Sequence, residues 1–307
     1  MIVLNSIFPV FMIICMGRIL KRFHLTTDEY LRISDRLIYY AFFPAMMFWK
    51  IGAPSTSVSF NWPLILASLA TVLTIYILSL TYIRVAKVAA FETGTFSQCS
   101  YRFNTYVGMA VILTALGDHS VREFSIMIGL TIPFINILAV STLIWFSGDA
   151  KRGADRIRLI IKEALSNPLV IGCFAGIIYS RIKMPFPLFM ENSFKMISLM
   201  TLPLALISVG GALKPSRFKR YFKNAFVSSF FKLALLPLVG YVFLKIAGVD
   251  DDSLKVGMIF FALPTSTATY ILSSQLHSDT ELASTSIFLS TLFSALSLSI
   301  VIYLFAS

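Results

Sequence analysis

The chain has 307 residues, of which 57% are hydrophobic and only 13% charged. A soluble domain carries about 25% charged residues, so there are too few charges here to cover a globule, and a polytopic membrane protein follows. The net charge of +11 comes from short basic clusters between apolar spans, the pattern of cytoplasmic loops, so it reports topology and not affinity for nucleic acid.

Residues 2–17 are apolar but have no basic segment before them, and Arg18, Lys21 and Arg22 come after. This reads as a retained first span entering from outside, not a signal peptide. Ten spans near bilayer length are predicted at 2–20, 33–50, 60–83, 100–116, 122–146, 166–181, 193–213, 224–247, 255–275 and 283–305. One set of loops collects most of the Lys and Arg, from Arg18–Arg36, Arg84–Arg102, Lys151–Lys162 and Lys214–Lys223. The alternate set holds only Lys50, Arg122, Arg181, Lys183, Lys195, Lys245 and Lys255. The richer set is therefore assigned to the cytoplasm, which puts both termini outside. Residues 1–150 then form a first five-helix unit, 151–165 a basic cytoplasmic linker, and 166–307 a second five-helix unit. Cys15, Cys99 and Cys173 match no metal spacing and are read as small buried apolar residues.

The ninth span is unusual. Phe261–Gln275 reads FALPTSTATYILSSQ, and Pro264 lacks an N–H and clashes with the carbonyl four residues earlier, so a helix should break or kink there. Thr265, Ser266, Thr267 and Thr269 follow at once. An opened backbone at membrane depth is tolerated where it is buried in protein or lines a watery cavity. Taken alone, the segment is either a substrate site on a discontinuous helix or a proline kink whose hydroxyls bond back to the preceding turn.

The two halves repeat at one offset. Pro9 and Pro168, Gly17 and Gly176, Ser34 and Ser193, and Pro44 and Pro203 are each 159 residues apart. The Pro264 region steps back to Asn104 and Thr105, inside RFNTYVGMA, again polar and glycine-bearing within an apolar span. With five spans per copy, the second copy lies inverted relative to the first, the pattern of secondary transporters with a site at the bilayer midplane.

The motifs Asn104-Thr105-Tyr106-Val107-Gly108 and Leu263-Pro264-Thr265-Ser266-Thr267-Ala268-Thr269-Tyr270, with Tyr39, Tyr40 and Pro44-Ala45 in the second span, resemble those of the auxin efflux carrier family, which includes bacterial organic-acid carriers and plant PIN proteins. The resemblance runs over essentially the whole chain. It implies an all-α integral membrane fold of ten transmembrane helices as two inverted five-helix repeats, with broken, crossing helices 4 and 9 beside the substrate, and a transport part moving against a scaffold. Two departures stand out: Met109-Ala110 follows Gly108 where the family often has a proline, and the long cytoplasmic loop of the large plant members is absent. The fourth span is thus expected to be less sharply broken than the ninth.

A broken helix offers an N-terminal end with free N–H groups and partial positive charge, suited to an anion. The expected substrate site comprises Asn104, Thr105, Tyr106, Gly108, Pro264, Thr265, Ser266, Thr267, Thr269 and Tyr270. Its hydroxyls donate to a carboxylate, Asn104 donates and accepts, and Tyr106 and Tyr270 close the pocket. Each has a plainer alternative: Asn104 as a helix–helix hydrogen bond, Gly108 as a close-packing glycine, Pro44 and Pro203 as kinks. Asn136, with Pro133, is a second-tier candidate. No carboxylate stands at a span centre to suggest an ion site. Asp35 is expected to pair with Arg32 and Arg36, and Lys232 to snorkel to the inner surface. Asp250-Asp251-Asp252 reads as a solvated turn, and no catalytic or metal motif is present, so the chain is not expected to be an enzyme and needs no cofactor. The expected partners are a small organic anion (a mono- or dicarboxylate or an auxin-like acid), the lipid bilayer, a coupling proton or sodium ion, and a second copy in a homodimer implied by the resemblance, with no nucleic acid. A membrane channel and a transport-dead sensor of the same fold are the competing readings.

Overall fold

The computed structural model describes residues 2–53, 60–146, 167–213 and 218–306, and all regular structure among them is helical. Among the described residues, six helices are long and apolar enough to cross a membrane: Val3–Arg22, Trp62–Val85, Asp118–Phe146, Leu188–Ala212, Phe218–Ile246 and Thr280–Phe305. At 1.5 Å per residue, about 20 residues cover the hydrocarbon core. The other described helices are shorter or interrupted.

In chain order, the helices are α1 (Ile2–Arg22), α2 (Asp28–Leu37), α3 (Phe43–Gly52), α4 (Trp62–Val85), α5 (Ala90–Tyr101), α6 (Thr105–Leu116), α7 (Asp118–Phe146), α8 (Pro168–Ile182), α9 (Leu188–Ala212), α10 (Phe218–Phe230), α11 (Leu236–Ile246), α12 (Asp251–Ala262), α13 (Ala268–Gln275) and α14 (Thr280–Phe305). A π turn, Ile38–Phe42, joins α2 to α3, and another, Phe231–Leu235, joins α10 to α11. Both turns run straight into a proline, Pro44 or Pro237, at the start of the next helix. The wider turn gives the ring room against the carbonyl it would otherwise strike.

The starts of several helices are written locally. The Asn61 side chain accepts from the Leu64 N–H, Asn167 from Leu169, and Asp279 from Glu281 and Leu282. Asn61 and Asn167 are each followed by a proline in the first turn, where the missing N–H costs nothing.

Glycines set the closest helix contacts. A Cβ on Gly17 of α1 would lie 2.1 Å from the Ile207 carbonyl oxygen of α9, and one on Gly210 of α9 would lie 1.8 Å from the Ile14 oxygen. On the other pair, a Cβ on Gly172 of α8 would lie 2.6 Å from the Pro44 oxygen, and one on Gly176 would lie 3.0 Å from the Phe48 oxygen. Small residues that let backbones approach are the usual device of helix packing in lipid. Gly17 with Ile207 and Gly176 with Phe48 are related by the same 159-residue step at both partners.

Several expectations change. The fourth predicted span, 100–116, is the second half of a longer interrupted element that begins at Ala90. Its first half contains Thr93, Thr95, Ser97, Gln98 and Ser100, all of them buried in protein, so it needs no apolar surface. Asp35 is not paired with Arg32 or Arg36; it accepts a hydrogen bond from Ser208 Oγ of α9, and both arginines are exposed. Cys99 and Cys173 are buried, but Cys15 is exposed on α1. The linker at 151–165 lies outside the described residues.

Candidate functional site

The two breaks are built from different local chemistry. In α12–α13 the interruption spans Leu263–Thr267, and Leu263 is extended (φ −65°, ψ 148°), as the residue before a proline must be to clear its ring. In α5–α6 it is shorter, Arg102–Asn104. There Asn104 starts the second half-helix: its Oδ1 accepts from the N–H groups of Tyr106 (3.1 Å) and Val107 (3.2 Å), satisfying donors that a helix start leaves open.

The breaks meet. The main-chain N–H of Asn104 donates to the Pro264 carbonyl at 2.9 Å. Thr265 ties the same point to the end of α5, its Oγ1 donating to the Cys99 carbonyl at 3.0 Å, and to α14, its N–H donating to Ser290 Oγ at 3.1 Å. Phe103 packs edge-on against Phe260, centroids 4.3 Å apart. Below the breaks, Gln98 Nε2 donates to Ser273 Oγ at 2.9 Å, and Thr95 Oγ1 lies 2.8 Å from the hydroxyls of both Ser273 and Ser278. This buried network fixes α5 against α13.

Among the sequence-predicted site residues, Asn104, Pro264, Thr265 and Thr269 are buried at this junction, and Thr105, Tyr106, Ser266 and Thr267 are half-buried beside it. The Tyr106 ring lies 5.1 Å from that of Phe43, and Ser266 Oγ accepts from the Ala268 N–H at 3.3 Å. Gly108 is covered: a Cβ there would lie 2.6 Å from Leu263 Cδ1 and 2.7 Å from Phe124 Cζ. Tyr270 is exposed, apart from the other nine. Among the described residues, two of these ten carry a buried polar atom with no hydrogen-bond partner, Asn104 Nδ2 and Thr269 Oγ1, a state shared elsewhere by Thr26, Tyr101 and Thr291. Buried polar atoms are rarely left so, and both belong to the motifs that stand at the breaks.

Lys232 does not snorkel. It sits on the second π turn with 0% exposure, and its Nζ donates to the Phe261 carbonyl at 3.1 Å. Phe261 is in the last turn of α12, so the amine lies at the C-terminal end of a half-helix, where the dipole is negative. Sequence reasoning placed this lysine by its own span alone; its partner is 29 residues away on another helix. Also missed were Gln98 and the hydroxyls of α14, of which Ser286, Ser290 and Ser294 recur every fourth residue in the sequence and are all buried.

At the start of α12, Asp250 is no mere solvated turn. It caps α12, its Oδ1 accepting from the Ser253 N–H at 3.1 Å, and Asn61 Nδ2 reaches Asp250 Oδ2 (3.3 Å), Glu123 Oε1 (3.0 Å) and Ser253 Oγ (2.7 Å). No cluster of three or more His, Cys, Asp or Glu suited to a metal occurs among the described residues.

Long apolar helices around a junction of two interrupted helices, with a polar centre shut away from lipid, define an integral membrane protein. The chain belongs to the membrane transport protein family, whose model matches residues 2–302, the auxin efflux carrier family that the two motifs resemble. It is 22% identical over 303 residues to an uncharacterized transporter of Methanocaldococcus jannaschii, covering 96% of both chains. It is 23% identical over 309 residues to a protein of Rhizobium meliloti named "Putative malonate transporter", covering 98% of this chain and 95% of that one.

Proposed function

We propose that the protein is a secondary carrier for a small organic anion, a mono- or dicarboxylate, working by elevator-type alternating access. The observation that carries the reading is the junction itself. Two half-helices, α6 and α13, start where the Asn104 N–H meets the Pro264 carbonyl, and Asn104 Nδ2 is buried there with no partner among the described residues. A donor on a neutral side chain, beside helix starts of positive dipole, suits a carboxylate without trapping it in an ion pair. The name of the Rhizobium relative makes malonate the first substrate to try.

The same reading takes the chain as ten spans in two inverted five-helix repeats, with both termini outside. It is supported by the paired glycine contacts Gly17–Ile207 and Gly176–Phe48, related by one offset, and by an interruption at corresponding places in each half. Inverted repeats with discontinuous helices are a common transporter design. The α1–α9 and α3–α8 pairs, locked by glycine contacts, would serve as scaffold, and the interrupted helices would move with α4, α7, α10, α11 and α14.

The test is uptake of labelled malonate by proteoliposomes holding the purified protein. Saturating uptake at rates well below channel rates, lost in Asn104→Ala, supports a carrier with its site at the junction. Uptake that never saturates would mean a channel, and saturating uptake untouched by Asn104→Ala would move the site elsewhere.

A further inference from the structure

Lys232 is a full-length cationic side chain with 0% exposure and one bond, to the Phe261 carbonyl. An ammonium carries three donors, and a buried charge ordinarily needs an opposite charge close by. Lys232 forms no ion pair with any carboxylate among the described residues. A free amine is a better match to a single acceptor.

The elements around the π turn supply no bonded counter-charge. Those of α4 (Arg84), α5 (Glu92, with Arg102 just after it), α12 (Asp251, Asp252, Lys255) and α14 (Glu281) stand at or near helix ends. So do Lys219, Arg220 and Lys223 of α10 and Lys245 of α11. Glu92 accepts from Asn224 Nδ2, and Lys255 pairs with Asp252. The other titratable groups on these helices are Tyr76, Tyr82, Cys99, Tyr101, Tyr221, Tyr241 and Tyr303, none of them a carboxylate.

We infer that Lys232 carries the coupled proton: it is a free amine while the site is empty and becomes an ammonium when an anion is lodged at the junction. This rests on the anion-carrier reading above. Phe261 precedes Pro264 by three residues, a reach of at most ~10 Å. A negative charge near Pro264 therefore stabilises a cation at Lys232, on the order of tenfold in affinity at that distance and an effective dielectric of ~20. The amine lone pair takes one proton from solvent, nothing is oxidised or reduced, and the added charge offsets one charge of the anion. Because the coupling is reciprocal, the anion leaves more readily once the proton has gone, and the two cross together.

The experiment is titration calorimetry of malonate into the purified full chain at pH 8, where both of its carboxyl groups are ionised, in two buffers of different ionisation enthalpy. The wild type should take up a fraction of a proton per malonate bound, at most about half, the largest uptake a tenfold coupling allows. Lys232→Met should bind several-fold more weakly, by at most about tenfold, with no uptake, and Lys232→Arg, always charged, should bind without uptake. Wild-type binding with no proton uptake, or uptake that persists in Lys232→Met, overturns the inference and leaves the anion site standing. Should Lys232→Met fail to fold, the wild-type measurement and Lys232→Gln decide in the same way. A wild type that binds none of a panel of mono- and dicarboxylates overturns the carrier reading, and this inference with it.

Discussion

Asn104 and Pro264 stand 160 residues apart in sequence and are joined by a main-chain hydrogen bond of 2.9 Å. The side chain of Asn104 has two separable duties, a cap made by Oδ1 and an unpartnered Nδ2. Asn104→Ala removes both and should cost about 1 kcal/mol through the lost cap. Asn104→Ser keeps an acceptor of similar capping strength and withdraws the amide. Serine is therefore expected to restore most of the thermal stability but none of the malonate affinity. Melting curves with and without malonate check this; a serine variant that binds as tightly as wild type would show that the amide does not touch the ligand.

Thr265 and Thr269 are both fully buried, yet only Thr265 has a bonded hydroxyl. Thr265→Val strands the Cys99 carbonyl, and an unsatisfied buried group costs roughly 1–3 kcal/mol. Thr269→Val removes a hydroxyl that bonds to nothing among the described residues, so it should leave stability unchanged or higher. Binding should respond in the opposite order, with affinity intact in folded Thr265→Val and reduced in Thr269→Val. Calorimetric binding alongside thermal melts separates the two, and a Thr269→Val variant with wild-type affinity would remove that hydroxyl from the site.

Pro264 announced its break because a missing N–H and a forced extended neighbour are local facts. The break at Asn104 was fainter, since capping needs only one side chain and the asparagine has other uses in a bundle. Ala90–Tyr101 is not legible in the sequence as the first half of the interrupted element that continues at Thr105. Hydropathy assumes that a span faces lipid, whereas this half-helix is enclosed by protein and bonds its Thr95 and Gln98 to Ser273 and Ser278. Lys232 was misplaced for the complementary reason. A lysine two turns into a span can reach water only if the path is open, and here the Phe261 carbonyl and the surrounding helices close it. Of the ten residues expected at the site, nine lie at or beside the junction because the two motifs themselves make it. Tyr270 does not, since a helix turns about 100° per residue and carries it to the exposed face of α13.

The glycine contacts predict where the helix pairs are least tolerant. A methyl group on Gly210 or Gly17 would meet main-chain oxygen of the facing helix at 1.8 or 2.1 Å, and backbone cannot swing aside as a side chain can. Gly210→Ala and Gly17→Ala should each destabilise by about 1–3 kcal/mol, the usual range for overpacking. Gly94→Ala meets the flexible Leu143 side chain first, with Cδ2 at 2.6 Å, so repacking absorbs more of the strain. The expected order of melting temperature in detergent is wild type, then Gly94→Ala, then the two α1–α9 variants. A Gly210→Ala protein as stable as wild type would mean that α1 and α9 can separate at little cost.

Reactivity of the three thiols gives a check on the fold that needs no substrate. Cys15 is exposed on α1, while Cys99 and Cys173 are buried, with Cys173 Sγ against Met47 Sδ and the Ser125 carbonyl. In detergent, a membrane-permeant maleimide should modify one thiol in native protein and three after unfolding, and Cys15→Ala should leave native protein unlabelled. Fast labelling of Cys99 would mean that the junction beneath Thr265 opens to the reagent.

Asp250 carries the clearest pH dependence. Partial burial raises its pKa, but the Ser253 N–H and hydroxyl and the Asn61 amide hold the charged form more strongly, and the net value lies below the ordinary carboxylate range. A carboxylate whose pKa is lower folded than unfolded contributes stability in full above the unfolded value, near 3.9. That contribution is lost as the pH falls through the folded value. Asp250→Ala should therefore lower stability at pH 7 by about 1 kcal/mol, as for other lost caps, and the gap from wild type should narrow at acid pH. Asp250→Asn keeps an acceptor for the Ser253 N–H and should lose only the pH-dependent part. Thermal melts of the three proteins from pH 7 down to pH 3 measure this directly. A gap that stays constant across the range would mean that Asp250 acts through its shape and hydrogen bonds and not through its charge.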